Sequence, residues 1–196
     1  MPRDLGPEPE GLIGPNAVLQ VIPVLDRAVG PAARTRVLAR WGGELPDGSE
    51  MIPEGEAASL HHVLRAEFGP RAPGLAAQAG RGTAEYILAH RIPRPAQAIL
   101  RALPASLAAR ALSKAIAKNA WTFAGSGRFE VLSPWSFAIH DNPVIRGEAS
   151  DETLCHWHAA VFETLYRRLV HPAARCREVA CAAAGAPACR FEIVTG

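Results

Sequence analysis

Residues 176–194 read CREVACAAAGAPACRFEIV. Two short runs flank Ala184-Gly185-Ala186-Pro187, a small-residue and proline turn of the kind that joins antiparallel strands. Cys181 and Cys189 each stand four residues from Gly185. A turn centred on that glycine sets them opposite each other, with Cβ atoms about 4.5–5.5 Å apart. Two thiolates so placed can reach one ion at roughly 2.3 Å each. A helix read over 151–170 brings a third thiol, Cys155, near its start, provided that it packs over the hairpin. Glu178, Cys176 and His158 compete for a fourth position. His158 lies about one turn from Cys155 on the same helix face, a spacing that suits a shared ion. Glu178 has the wrong strand parity relative to Cys181 and joins the others only through a bulge or bend. Spacing alone leaves three readings: ligands of one ion, buried core thiols, or a Cys181–Cys189 disulfide. A mixed sulfur, oxygen and nitrogen site of this kind suits zinc.

Working outward, all four cysteines fall in the last quarter of a 196-residue chain. That length allows one domain that buries roughly 70% of its unfolded surface, so the cysteines are not needed as staples. A hydrophobic share of 48% with 20% charged residues excludes wholesale disorder. A net charge of +2 argues against a strongly basic nucleic-acid binder. No run approaches twenty apolar residues, and residues 1–14 show no apolar signal core. The expectation is a cytoplasmic protein with reduced thiols, with peripheral attachment to a membrane as the alternative. The only lysines are Lys114 and Lys118 against abundant arginine, which reads as genomic bias.

Residues 1–14, rich in proline and glycine, read as a flexible lead-in to a domain over 15–196. Helical spacing of apolar residues predicts helices over 17–29 (kinked or split at Pro23), 32–41, 56–68, 75–90 and 106–120. Gly80 and Gly82 inside one of them signal close approach of a neighbour or ligand. Pro93, Pro95 and Pro104 break up the stretch between the last two. Residues 121–145 alternate aromatic and polar types around Gly125-Ser126-Gly127 and predict two or three strands. Phe129, Val131, Trp135, Phe137 and Ile139 share one parity and hence one face. The helix over 151–170 is expected to be capped by Ser150 or Asp151, with Glu152 in its first turn.

Glu178-Val179-Ala180-Cys181, Gly185 and Cys189-Arg190-Phe191-Glu192-Ile193 resemble the closing hairpin of the 4-vinyl reductase domain family. Cys155 in a helix with Trp157 and His158 fits the same pattern. Gly14-Pro15-Asn16-Ala17, Ala79-Gly80-Arg81, His90-Arg91-Ile92-Pro93 and Asn142-Pro143 are similar to the branch of that family in bacteriochlorophyll synthesis. The likeness spans residues 14–196. It implies an α+β domain, helices packed on an antiparallel sheet, often dimeric and related to a vesicle-tethering subunit fold. It also implies a zinc ion held by three cysteines and a glutamate, which map onto Cys155, Glu178, Cys181 and Cys189. Cys176 is left unassigned. Four protein ligands leave no open position, so that zinc would be structural, a clamp between helix and hairpin.

The resemblance carries two functional expectations. One is an accessory protein that binds or delivers a Mg-porphyrin intermediate of bacteriochlorophyll synthesis, with pathway enzymes as partners. The alternative is reduction of the 8-vinyl group of a divinyl (proto)chlorophyllide with an external electron donor. No GxGxxG follows a strand, Gly125-Ser126-Gly127 precedes one instead, and the cysteine spacing matches neither common ferredoxin run. Binding is therefore the leading expectation. A sensory module for a small aromatic ligand is disfavoured, as no helix-turn-helix or ATPase region is seen. A tetrapyrrole needs an apolar slot, for which Trp121, Phe129, Trp135 and Phe137 are candidates, joined by Phe123 and the helix around Gly80 and Gly82. Arg81 and Arg91, with Arg94, are candidates for its carboxylates, and His140 or His90 for an axial ligand.

Overall fold

The computed structural model describes residues 11–196. The chain opens with β1 (Leu12–Ile13), α1 (Asn16–Leu19), α2 (Val21–Ala28) and α3 (Pro31–Trp41). Pro23 sits in the first turn of α2, where its missing N–H costs no helical bond, so the chain splits at Gln20 instead of kinking. Pro31 starts α3 and Gly42, at φ +70°, ends it. Next come β2 (Ile52–Pro53), α4 (Glu54–Phe68), α5 (Ala72–His90), α6 (Arg94–Ala102), α7 (Ala105–Lys118) and the single turn α8 (Trp121–Ala124). The last part holds β3 (Arg128–Ser133), β4 (Ser136–His140), α9 (His156–Leu169), β5 (Arg175–Ala180) and β6 (Cys189–Val194). These four strands form one antiparallel sheet in the order β3-β4-β6-β5, so the architecture is the expected α+β.

Register explains the sheet's buried face. Phe129 opposes Ile139, Val131 opposes Phe137, and Phe137 opposes Phe191, so alternate residues of three strands meet α9. Phe162 of α9 packs on Phe137 and Phe191 with ring centroids 5.1 and 5.3 Å apart. Tyr166, fully buried, donates its hydroxyl to the Pro134 carbonyl at 2.5 Å. Against the other side of α9 runs α5. A Cβ added at Gly80 would collide with the Trp157 carbonyl and stand 2.9 Å from Ala160 Cβ. At Gly82 it would stand 2.8 Å from Gln20 Oε1. The neighbours that these glycines admit are helices.

Four expectations change. The lead-in over 1–14 falls mostly outside the described residues; of the remainder, Leu12–Ile13 pair with Ile52–Pro53, and Ile13 is fully buried. Pro93 and Pro95 do not break the chain: Pro95 occupies the first turn of α6, where proline is tolerated. Trp121 and Phe123 lie in α8, not in a strand. Finally, α9 starts at His156 with Cys155 at its N-cap, later than the capping residues suggested. Ser150 Oγ accepts from Glu152 N–H in a separate turn, and Ser150 N–H donates to the Ala183 carbonyl at 2.9 Å, holding this segment to the hairpin.

Gly80→Ala should destabilise this core by about 2 kcal/mol. Calorimetry should record that loss as a fall in Tm of roughly 4–8 °C. A pH dependence is expected from His61 and His158, both buried and bonded to carbonyls of Ala17 and Phe123 at 3.0 and 3.3 Å. Burial holds them far below the ordinary 6.5, at about 3 for His61, where the Arg65 charge adds to the effect, and about 4 for His158. Below 6.5 the unfolded chain takes up protons that the folded one refuses. Their contribution to stability is thus intact above that pH and is lost progressively toward 4 and 3. Urea titrations between about pH 7 and 4 should show this decline, with a shallower slope in His61→Gln.

Candidate metal centre and helical cavity

The hairpin of β5 and β6 builds the site. Its pairing is Glu178↔Phe191 but Ala180↔Arg190, a register slip of one residue between them. Such a bulge turns the chain locally and so cancels the parity mismatch between Glu178 and Cys181. Cys181 precedes a 3-10 turn, Ala182–Ala184, that ends on Gly185 at φ +84° and returns the chain to Cys189 at the start of β6. Cys155 arrives from the N-cap of α9. Its N–H donates to Glu178 Oε2 at 2.7 Å, and its Sγ lies 3.4 Å from Cys189 Sγ.

Donor atoms of Cys155, Glu178, Cys181 and Cys189 all lie within 4.8 Å of one another. Thiolates bound 2.3 Å from one tetrahedral ion stand roughly 3.8 Å apart, so the set has the right span. All three cysteines are at most 1% exposed, and Glu178 Oε1 is buried without a partner. An orphaned carboxylate oxygen facing three thiols is the feature a cation would satisfy. Burial pushes Cys155 far above the ordinary thiol range, and Glu178 up to about 8. Bonds from Cys155 and Cys189 draw Cys181 far down. The bond with Cys155 lowers Cys189, but the bond with Cys181 and burial outweigh it and push Cys189 up to about 12. Alone, the pocket accommodates one negative charge readily and resists four. A divalent cation reverses that preference, and the three cysteines and the glutamate could hold a metal ion.

Residues 135–195 match the family model of the 4-vinyl reductase domain. The bacteriochlorophyll synthase 23 kDa chain of Cereibacter sphaeroides is 56% identical over 192 residues, which cover 96% of this chain and 93% of that one. The protein of the same name from Rhodobacter capsulatus is 48% identical over 185 residues, 93% of this chain and 86% of its own. The chain belongs to the 4-vinyl reductase domain family.

The other candidates for the fourth ligand lie elsewhere in the fold. His158 points at Phe123, and Cys176 stands on β5 with its N–H bonded to Glu163 Oε2 at 3.0 Å. One contributor was missed. Asn142, 2% exposed, donates from Nδ2 to Cys155 Sγ at 3.3 Å while its Oδ1 accepts from Val144 N–H. A bond of this kind steadies a thiolate ligand. The Asn142-Pro143 pair did announce a capped turn, but nothing in the sequence connects it with Cys155, thirteen residues on.

A cavity of about 340 Å³ lies between α5, α7 and α9, with Gly14–Ala17 at one end. Of the candidate pocket residues, Trp121 and Arg91 line it, as does Phe123. Phe129 and Phe137 belong to the aromatic core under the sheet, and Trp135 packs on Tyr166. Their shared strand parity identified a buried face, which is filled by α9. His140 Nε2 is 3.0 Å from Glu130 Oε2, His90 packs on Tyr86, and Arg81 is exposed. None of these lines the cavity. The lining sequence reasoning missed, such as Thr83, Ile87, Leu112 and Val161, is ordinary helical core by pattern and faces a gap only once three helices are assembled. Gly125-Ser126-Gly127 also gains a purpose. Ser126 donates from N–H and Oγ to the Glu54 carboxylate, both at 2.7 Å, and Arg146 bonds the same group. It cradles a carboxylate of its own chain.

Cys181→Ala or Cys189→Ala should remove the bound metal and lower Tm, because ligation is coupled to folding of the hairpin. Cys176→Ala should leave metal content unchanged. Elemental analysis of protein purified without chelators checks both outcomes.

Proposed function

We propose that this protein is a tetrapyrrole-binding accessory protein of bacteriochlorophyll synthesis that holds or delivers a Mg-porphyrin intermediate. The observation that carries this reading is the cavity between α5, α7 and α9. Its volume lies at the small end of the range that takes organic ligands. Trp121, Phe123, Ile116 and Val161 give it an apolar wall, and the exposed Arg91 stands at its rim. A macrocycle would seat one apolar edge inside and leave a carboxylate edge at the Arg91 guanidinium. The names of the two 23 kDa relatives support the pathway.

In the same reading the Cys155, Glu178, Cys181 and Cys189 set takes zinc. Zinc accepts three thiolates and a carboxylate in a tetrahedron without redox change, and four protein ligands leave no position for substrate. When bound, it supplies a crosslink between α9 and the hairpin and no reaction step. The residues of the chain do the remaining work: Asn142 steadies the Cys155 sulfur and Arg91 orients the ligand.

Purified protein should shift the Soret band of added Mg-protoporphyrin at micromolar concentration and carry about one zinc per chain. Arg91→Ala should weaken the pigment's binding about tenfold, the loss of one partly screened charged contact. An unchanged Soret band would refute the binding role, and turnover of a divinyl substrate with a supplied reductant would favour the reductase reading instead.

A further inference from the structure

From Tyr86 to Phe129 the chain holds seven basic residues and no aspartate or glutamate, although acids number 19 in the whole sequence. Both lysines fall here. Arg128 pairs with Glu130. The other six, Arg91, Arg94, Arg101, Arg110, Lys114 and Lys118, enter no ion pair among the described residues. Helix geometry gathers several of them. On α7 the buried residues are Ala108, Ala109, Leu112, Ser113 and Ile116, so Leu107, Arg110, Lys114 and Lys118 share the opposite, exposed face.

The same stretch exposes three large apolar side chains: Ile99 of α6 at 61%, Leu107 at 51% and Trp121 of α8 at 58%. An ordinary solvated face mixes charges of both signs and hides its large apolar groups. This one does neither. It also borders the cavity: Arg91, Ala115, Asn119 and Trp121 are exposed and line it. The mouth therefore opens beside the basic face of α7.

We infer that this face docks on a lipid bilayer bearing anionic headgroups, with Ile99, Leu107 and Trp121 at the headgroup–acyl boundary and the cavity mouth turned toward the membrane. Unpaired cations are complementary to such a surface, and basic amphipathic helices lie in its plane. A protein partner is a poorer fit, because the centres of protein interfaces are depleted in lysine, whereas lysine stems at a bilayer lie along apolar surface with the charge in water. The inference holds whichever ligand occupies the cavity.

Co-sedimentation of the full chain with vesicles of phosphatidylglycerol and phosphatidylcholine, against phosphatidylcholine alone, tests it. Binding is expected only with the anionic vesicles and should be largely lost in about 0.5 M salt. The triple change Arg110→Ala, Lys114→Ala, Lys118→Ala should lower partitioning roughly a hundredfold without changing Tm. Arg27→Ala, Arg36→Ala, Arg40→Ala, which removes exposed charge elsewhere, should leave it unaltered. Trp121 emission should shift to the blue on the vesicles, a change absent in Trp121→Phe. No sedimentation, equal binding to neutral vesicles, or equal loss in both triple variants overturns the inference. So does self-association that the first triple variant abolishes, which would assign the face to a second copy of the chain.

Discussion

The close crossing of α5 and α9 at Gly80 sets the position of nearly everything else. With no side chain at that point, the α5 backbone approaches the Trp157 carbonyl directly. Trp157 is two residues from Cys155, so the contact that seats α9 on α5 also fixes where α9 begins. From that start the helix presents Phe162 and Tyr166 to the sheet and Trp157, Val161 and Leu165 to the cavity. Had the helices been held apart by a methyl group, the N-cap of α9 could not stand within hydrogen-bond reach of Glu178 while its middle still packed against Phe137 and Phe191.

At the other end of that constraint is a balance of charge. Four acidic donors in a space under 5 Å across are costly to ionise together, and the shifts at Cys155, Glu178 and Cys189 express that cost. The backbone N–H of Cys155 offsets part of it for Glu178 Oε2, and Asn142 does the same for the Cys155 sulfur. Neither addresses Oε1 of Glu178. The site is therefore arranged for a charge that its own donors do not supply, which separates it from a cluster of core thiols. A Cys181–Cys189 disulfide would leave that carboxylate oxygen equally unsatisfied.

The sequence was most legible where a local rule has one outcome. Gly185 between two evenly spaced cysteines specified the hairpin and its facing thiols, and proline at helix starts marked the boundaries of α3. Strand parity was sound for Phe129, Val131, Phe137 and Ile139, yet it identified a core face and not a pocket. Glu178 shows the limit differently: parity excluded it, the family resemblance favoured it, and the bulge before Ala180 reconciles the two. Bulges, like the partnership of Asn142 with Cys155 or of Glu54 with Ser126, depend on contacts between distant segments, and no window of sequence encodes them. The late start of α9 has the same origin. Ser150, Asp151 and Glu152 form a good capping signal, but Ser150 is tied to Ala183 of the hairpin, and that tertiary bond outweighs local propensity.

Because one helix serves both regions, the metal centre and the cavity are mechanically joined. Cys155 is the N-cap of α9, and Trp157, Val161, Phe162 and Leu165 occupy its next three turns along the cavity wall. An ion that binds Cys155 together with two residues of the hairpin turn and one of β5 would fix the start of that wall relative to the sheet. Without it, the helix end would be held by the Cys155–Glu178 bond and by packing alone, and the protonation state of Glu178 would bear on both. A structural clamp placed there acts on ligand binding without touching the ligand. It does so through the rigidity of a single helix whose other face is locked on Phe137 and Phe191, so the cavity wall cannot shift without unpacking the aromatic core.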